Sequence, residues 1–217
     1  MLADKLRTAS SVPRTPRTPE FVMNSNTINS DTSTQLVINK PPATSEGDLM
    51  IAVMAADSDV TWSGDTGWTE VADQGSSPSV RIAYKIATIS EGTSYTFISN
   101  SVKKLAGSIL TYRYASYDKI GVFTTDSDPL ILQSIDPSEN HSILIAVGAA
   151  KSADPQPLSI PTGMTGRVTV YASNYRPRYI ICDQEVSSGP TGIRSIITNT
   201  TLNVAGIMLS IKPTMGI

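Results

Sequence analysis

The chain is predicted to be all-β: a two-sheet, jelly-roll-like β-sandwich built from an internal duplication and preceded by an extended N-terminal arm. Three observations carry this. Short apolar runs bounded by Gly, Pro, Ser or Asp recur along the sequence, as strands and turns do. The 217 residues include 14 glycines and 14 prolines, which interrupt any long helical pattern. The same succession of runs also occurs twice, at a period close to 97.

The first element is the arm, residues 1–20. Prolines at 13, 16 and 19 in "VPRTPRTPE" hold it towards an extended polyproline II path. Lys5, Arg7, Arg14 and Arg17 stand against Asp4 and Glu20, so the arm carries +2, and −4 remains on the body from a total of −2. From residue 21 the pattern changes to strands, and 21–217 is read as one sandwich domain. "FVMNSN" and "TQLVINK" supply one or two edge strands, and ten core strands follow as two sets of five.

The repeat halves run from about 46 to 113 and from about 138 to 213. "DLMIAVMAAD" (48–57) is answered by "SILIAVGAAK" (142–151), and "GWTEV" (67–71) by "GMTGR" (163–167). "VRIAYKIA" (80–87) meets "PRYIICDQ" (177–184) more loosely. "TSYTFISN" (93–100) meets "GIRSIITN" (192–199), and "LAGSILTYR" (105–113) meets "VAGIMLSIK" (204–212). The offset moves only from 94 to 99. Near-continuous apolar runs such as "LMIAVMAA" suit strands covered on both faces or lying at an inter-subunit face. The Ala106-Gly107 and Ala205-Gly206 pairs, inside strands, mark a bulge or a close approach of another segment.

Composition narrows the chemistry. The one histidine, His141, lies in the turn "PSENHS", and no G-x-S-x-G elbow occurs, so histidine-based catalysis and His-rich metal sites are not expected. Asp57, Asp59 and Asp65 in "DSDVTWSGD", and Asp126 with Asp128 in "TTDSDP", sit in turns where Asp caps backbone. Neither stretch continues into a twelve-residue calcium loop. No cofactor and no metal is expected, and the protein is read as not an enzyme. The one cysteine, Cys182 in "RYIICDQEV", reads as a small buried hydrophobe.

Trp68 reads as core, because the repeat sets Met164 opposite it. Trp62 has no counterpart and is the stronger candidate for an exposed contact, together with Tyr112, Tyr114 and Tyr117 in "LTYRYASYD". The arm is basic but contains no aromatic residue, so no nucleic-acid partner is expected. No run reaches the roughly 18 apolar residues of a membrane span, and the first residues lack the apolar region of a secretory signal. A soluble protein made in the cytoplasm is therefore expected.

"VINKPPATSEGDLMIAVMAADSDVTWSGDTGWTEVADQGSSPSVRIAYKIAT" (37–88) and "LAGSILTYRYASYD" (105–118) resemble a family of β-rich proteins encoded by tailed bacteriophages and prophages. The shared pattern is "GDLMIA", then "GWT", then "Y-K-x-A", then "AG-x-I-x-x-Y". At "TWSGDTGW" a proline-containing turn is the commoner form in that family. The resemblance implies a virion structural component, either a capsid decoration or cement protein or a part of a tail or fibre, and it supplies no catalytic residues; the capsid surface is the expected location. The expected role is a decoration or cement protein whose arm (Lys5, Arg7, Arg14, Pro16, Arg17) binds the major capsid protein. A homotrimer is expected from lattice geometry. The alternative is a tail-fibre or receptor-binding module that contacts carbohydrate through Trp62 and the tyrosines.

Overall fold

The structure is a computed structural model and describes residues 15–29, 31–64, 66–151, 156–171, 177–200 and 203–215. Among them there are strands and turns and no α-helix. The first half contributes β1 (Pro16–Arg17), β2 (Glu20–Ile28), β3 (Ser33–Asn39), β4 (Leu49–Ala56), β5 (Trp62–Ser63), β6 (Thr69–Gln74), β7 (Ser79–Ile86), β8 (Ser94–Lys103) and β9 (Leu105–Arg113). The second contributes β10 (Ala115–Ile120), β11 (Thr124–Thr125), β12 (Leu130–Leu132), β13 (Ser142–Ala150), β14 (Thr165–Val170), β15 (Arg178–Val186), β16 (Arg194–Ile196) and β17 (Val204–Met215).

These strands make four sheets rather than two. One large sheet runs β2-β9-β4-β7-β6 and the other β17-β13-β15-β14, with β1, β10 and β11 also paired to β17. The small sheets are β3-β8-β5 and β12-β16. Strand periodicity explains the layering, because alternate side chains point to opposite faces. Leu49, Ile51, Val53 and Ala55 of β4 meet Ile143, Ile145, Val147 and Ala149 of β13 in one central core between the large sheets. The intervening Met50, Ala52, Met54 and Ala56 turn outward to pack under Leu36, Ile38 and Phe97 of the first small sheet. Leu144, Ala146 and Ala150 do the same beneath Leu130, Leu132 and Ile196 of the second. Every residue of β4 and β13 is therefore buried, which is why their sequences are apolar without alternation.

The glycines inside β9 and β17 mark close approach, as their sequence context predicts. A methyl group on Gly107 would come within 2.8 Å of the Leu36 and Ile38 side chains. One on Gly206 would come within 2.6 Å of Leu130 and Leu132. The small sheets can settle onto the large ones only where no side chain intervenes.

The two large sheets also share register detail. Gly107 lies opposite Met54 on β4, and Gly206 opposite Gly148 on β13. A bulge between Phe21 and Met23 breaks the β2–β9 ladder, and one between Tyr117 and Lys119 breaks β10–β17. A second pair of bulges falls between Glu70 and Ala72 on β6 and between Gly166 and Val168 on β14. Val80 lies opposite Ala55, and Tyr179 opposite Ala149.

Polar ties cross the central core. The Tyr112 hydroxyl donates to Asp183 Oδ2 at 2.9 Å, which also takes Arg167 Nε at 2.8 Å, while Ser108 Oγ and the Tyr179 hydroxyl share a bond of 2.7 Å. The Asn24 amide donates to the Arg167 carbonyl at 3.0 Å and the Arg167 guanidinium lies 4.3 Å from the Phe21 ring centre, joining edge strands β2 and β14. At other strands of the same core, the Tyr84 and Tyr117 rings stack at 4.9 Å.

Candidate attachment site at the root of the arm

The described part of the arm begins at Thr15 and is built into the body. Pro16 and Arg17 form β1, antiparallel to the end of β17, with Pro16 opposite Met215 and Arg17 opposite Thr214. Proline suits this position, because a peripheral two-residue strand can do without one ladder N–H. Pro19 is buried, so the chain is fixed again before it enters β2.

Arg17 Cζ lies 3.7 Å from the centre of the Tyr114 ring, a close cation–π contact. Tyr114 is the single residue between β9 and β10, where the chain passes from the first half to the second. It has a positive φ of 58°, a conformation uncommon for a residue with a side chain. Its carbonyl accepts the Thr214 N–H at 2.9 Å. The arm, the end of β17 and the junction of the halves therefore meet at one point.

Two depressions flank this point. The smaller, about 190 Å³, is lined by Arg17, Glu46, Asp48, Arg113, Tyr114 and Met215. Its wall is rigid because Arg113 grips Asp48 through Nε at 3.0 Å and through a second nitrogen at 2.9 Å. The larger, about 460 Å³, is lined by Pro16, Glu139, Asn140, His141, Lys212 and Met215. His141 there is an exposed turn residue whose Nδ1 lies 2.6 Å from Glu185 Oε1. No sequence signal singled out Asp48 and Arg113 as a pair, since 65 residues separate them.

The structure distributes the expected contact residues differently from the sequence reading. Lys5, Arg7 and Arg14 lie outside the described residues, as does Asp65. Trp62 is a correction: it is 5% exposed, packed in the outer core of the first half, and its indole N–H reaches Ser79 Oγ at 3.3 Å. Leu158 is also buried, ahead of Ser159, whose N–H donates to the Ile197 carbonyl at 3.1 Å. Tyr112 is a second correction. It is fully buried, and burial together with the Asp183 charge holds its hydroxyl well above the ordinary tyrosine range. Tyr117 is half-buried in its stack on Tyr84, leaving Tyr114 as the tyrosine at the arm.

Trp68 is half-buried, edge-on to Tyr95 and Phe97 at 5.1 and 5.7 Å. Cys182 is buried, and burial pushes its thiol up to about 12. Asp126 and Asp128 do not cap their own turn. They accept the N–H groups of Asn203 at 3.0 Å and Thr198 at 2.9 Å, tying the loop to the distant start of β17 and end of β16. Among the described residues, no group of three or more His, Cys, Asp or Glu side chains is arranged to hold a metal ion, and no helix is long and apolar enough to cross a membrane.

The chain matches no family model, and comparison with curated proteins and with solved structures returns no match.

Proposed function

We propose that the protein is a virion structural component, a decoration or cement protein that binds the assembled head of a tailed bacteriophage. In this reading the arm contacts the major capsid protein, and the folded body, as a homotrimer, spans neighbouring subunits. The observation that carries it is the anchored root of the arm: basic residues upstream of Thr15 are tethered to a body made rigid by both termini of the fold. An arm fixed at its root loses less conformational freedom on binding, and several such arms on one oligomer reinforce one another.

The same reading takes the two halves as copies of one unit, each with a jelly-roll strand order. It is supported by the orders β2-β9-β4-β7 with β3-β8-β5, and β10-β17-β13-β15 with β12-β16. The paired bulges and the paired glycines at Gly107 and Gly206 support it further. Each copy then starts earlier than the sequence comparison placed it, at β2 and at β10, and the central core is the interface between copies. The tail-fibre alternative relied on Trp62, Tyr112, Tyr114 and Tyr117 as contacts, and burial removes Trp62 and Tyr112 from that role.

Deleting residues 1–14 leaves the β1–β17 pairing and the buried Pro19 in place, so it tests the arm without disturbing the body. The truncated protein is expected to melt as the full chain does and to lose its occupancy on isolated heads. Unchanged head occupancy would refute the attachment role.

A further inference from the structure

We propose that Arg17 and Tyr114 are positioning residues: they fix where the arm leaves the body rather than touching a partner themselves. This rests on the attachment reading above and assigns roles within it. Three restraints act on four residues. Pro16 and Arg17 pair with Met215 and Thr214, the Arg17 guanidinium lies on the Tyr114 ring, and Pro19 is buried. Tyr114 is held in turn, since its carbonyl takes the N–H of the same Thr214 that stands opposite Arg17. A partner's carboxylate would have to compete with this ring and ladder for Arg17, whereas Arg14, Arg7 and Lys5 precede the clamp. Fourteen residues reach at most about 50 Å when fully extended. The clamp therefore confines the contacts of Lys5, Arg7 and Arg14 to that radius around one end of β17.

A nitroxide on Thr15→Cys in the full chain reads the clamp directly, because the native Cys182 is fully buried and escapes labelling under folding conditions. The label is expected to be immobilised in the parent protein. Arg17→Ala and Tyr114→Ala should each raise the ratio of mobile to immobile signal about two- to fivefold, the range of an exposed cation–π contact. The double variant should go no further than either single one, and Tyr114→Phe, which keeps the ring face, should match the parent.

Effects that multiply in the double variant, an unchanged ratio in Arg17→Ala, or a Phe variant that behaves like the Ala variant would each overturn the clamp. Arg17→Ala alters an exposed side chain, so the test survives if Tyr114→Ala does not fold. On heads, Arg17→Ala should lower occupancy less than deletion of residues 1–14 does, and Tyr114→Phe should leave it intact. A loss with Arg17→Ala equal to that of the deletion would make Arg17 a direct contact and end the proposal. The spin-label experiment involves no partner, so the clamp and the attachment reading can fail separately.

Discussion

Replacing Glu91 by glutamine removes one negative charge from the best-connected carboxylate in the turn between β7 and β8. Glu91 Oε2 accepts from Lys85 Nζ and from the Tyr95 hydroxyl, each at 2.8 Å. Oε1 accepts from the Thr88 N–H at 2.9 Å and its hydroxyl at 3.0 Å. Burial by itself would raise the carboxyl's pKa, but the Lys85, Thr88 and Tyr95 donors outweigh it and hold the group down at about 2, against an ordinary 4.5. At about 1.4 kcal/mol per pH unit that interval corresponds to roughly 3 kcal/mol. The Glu91 side chain is 3% exposed, but Lys85 is 19% exposed and solvent screens the pair, so about 2 kcal/mol is the expected loss.

The sign follows from the lowered folded-state value. The contribution is complete above the unfolded value near 4.5 and disappears as pH falls through about 2. Urea midpoints of the parent and Glu91→Gln proteins should therefore differ by about 2 kcal/mol at pH 7 and converge by pH 2. Titration of the other carboxylates cancels in this difference. A gap that stays constant from pH 7 to pH 2, or no gap at pH 7, would refute the electrostatic account of this turn.

Two further perturbations probe the layering. Gly107→Ala and Gly206→Ala each force a methyl group against a pair of branched side chains, and each should lower stability by about 1–3 kcal/mol in thermal melts; a neutral effect at either site would mean the small sheets do not seat where described. Trp62→Ala should cost about 3–5 kcal/mol in denaturant titrations, whereas unchanged stability would restore Trp62 as a surface contact.

Much of the fold is legible from periodicity. The unbroken apolar runs of β4 and β13 announce strands covered on both faces, and the Ala-Gly pairs announce close approach; both follow from local sequence, because burial on a strand is read residue by residue. That the cover consists of two additional small sheets is not legible, since β5, β12 and β16 are two or three residues long and leave almost no periodic trace. Trp62 illustrates the loss: its strand is too short to show which side faces inward.

The tyrosines mark the boundary between the two kinds of information. Sequence by itself determined an all-β chain, the basic character of its first twenty residues and the burial of Cys182, because each depends on composition or on spacing along one segment. Tertiary structure alone decided that Tyr112 is buried against Asp183, that Tyr117 stacks on Tyr84 and that Tyr114 receives Arg17. The positive φ at Tyr114 and the bulge after Tyr117 break the alternation that would otherwise set their faces, and each ring's partner is supplied by a segment distant in sequence.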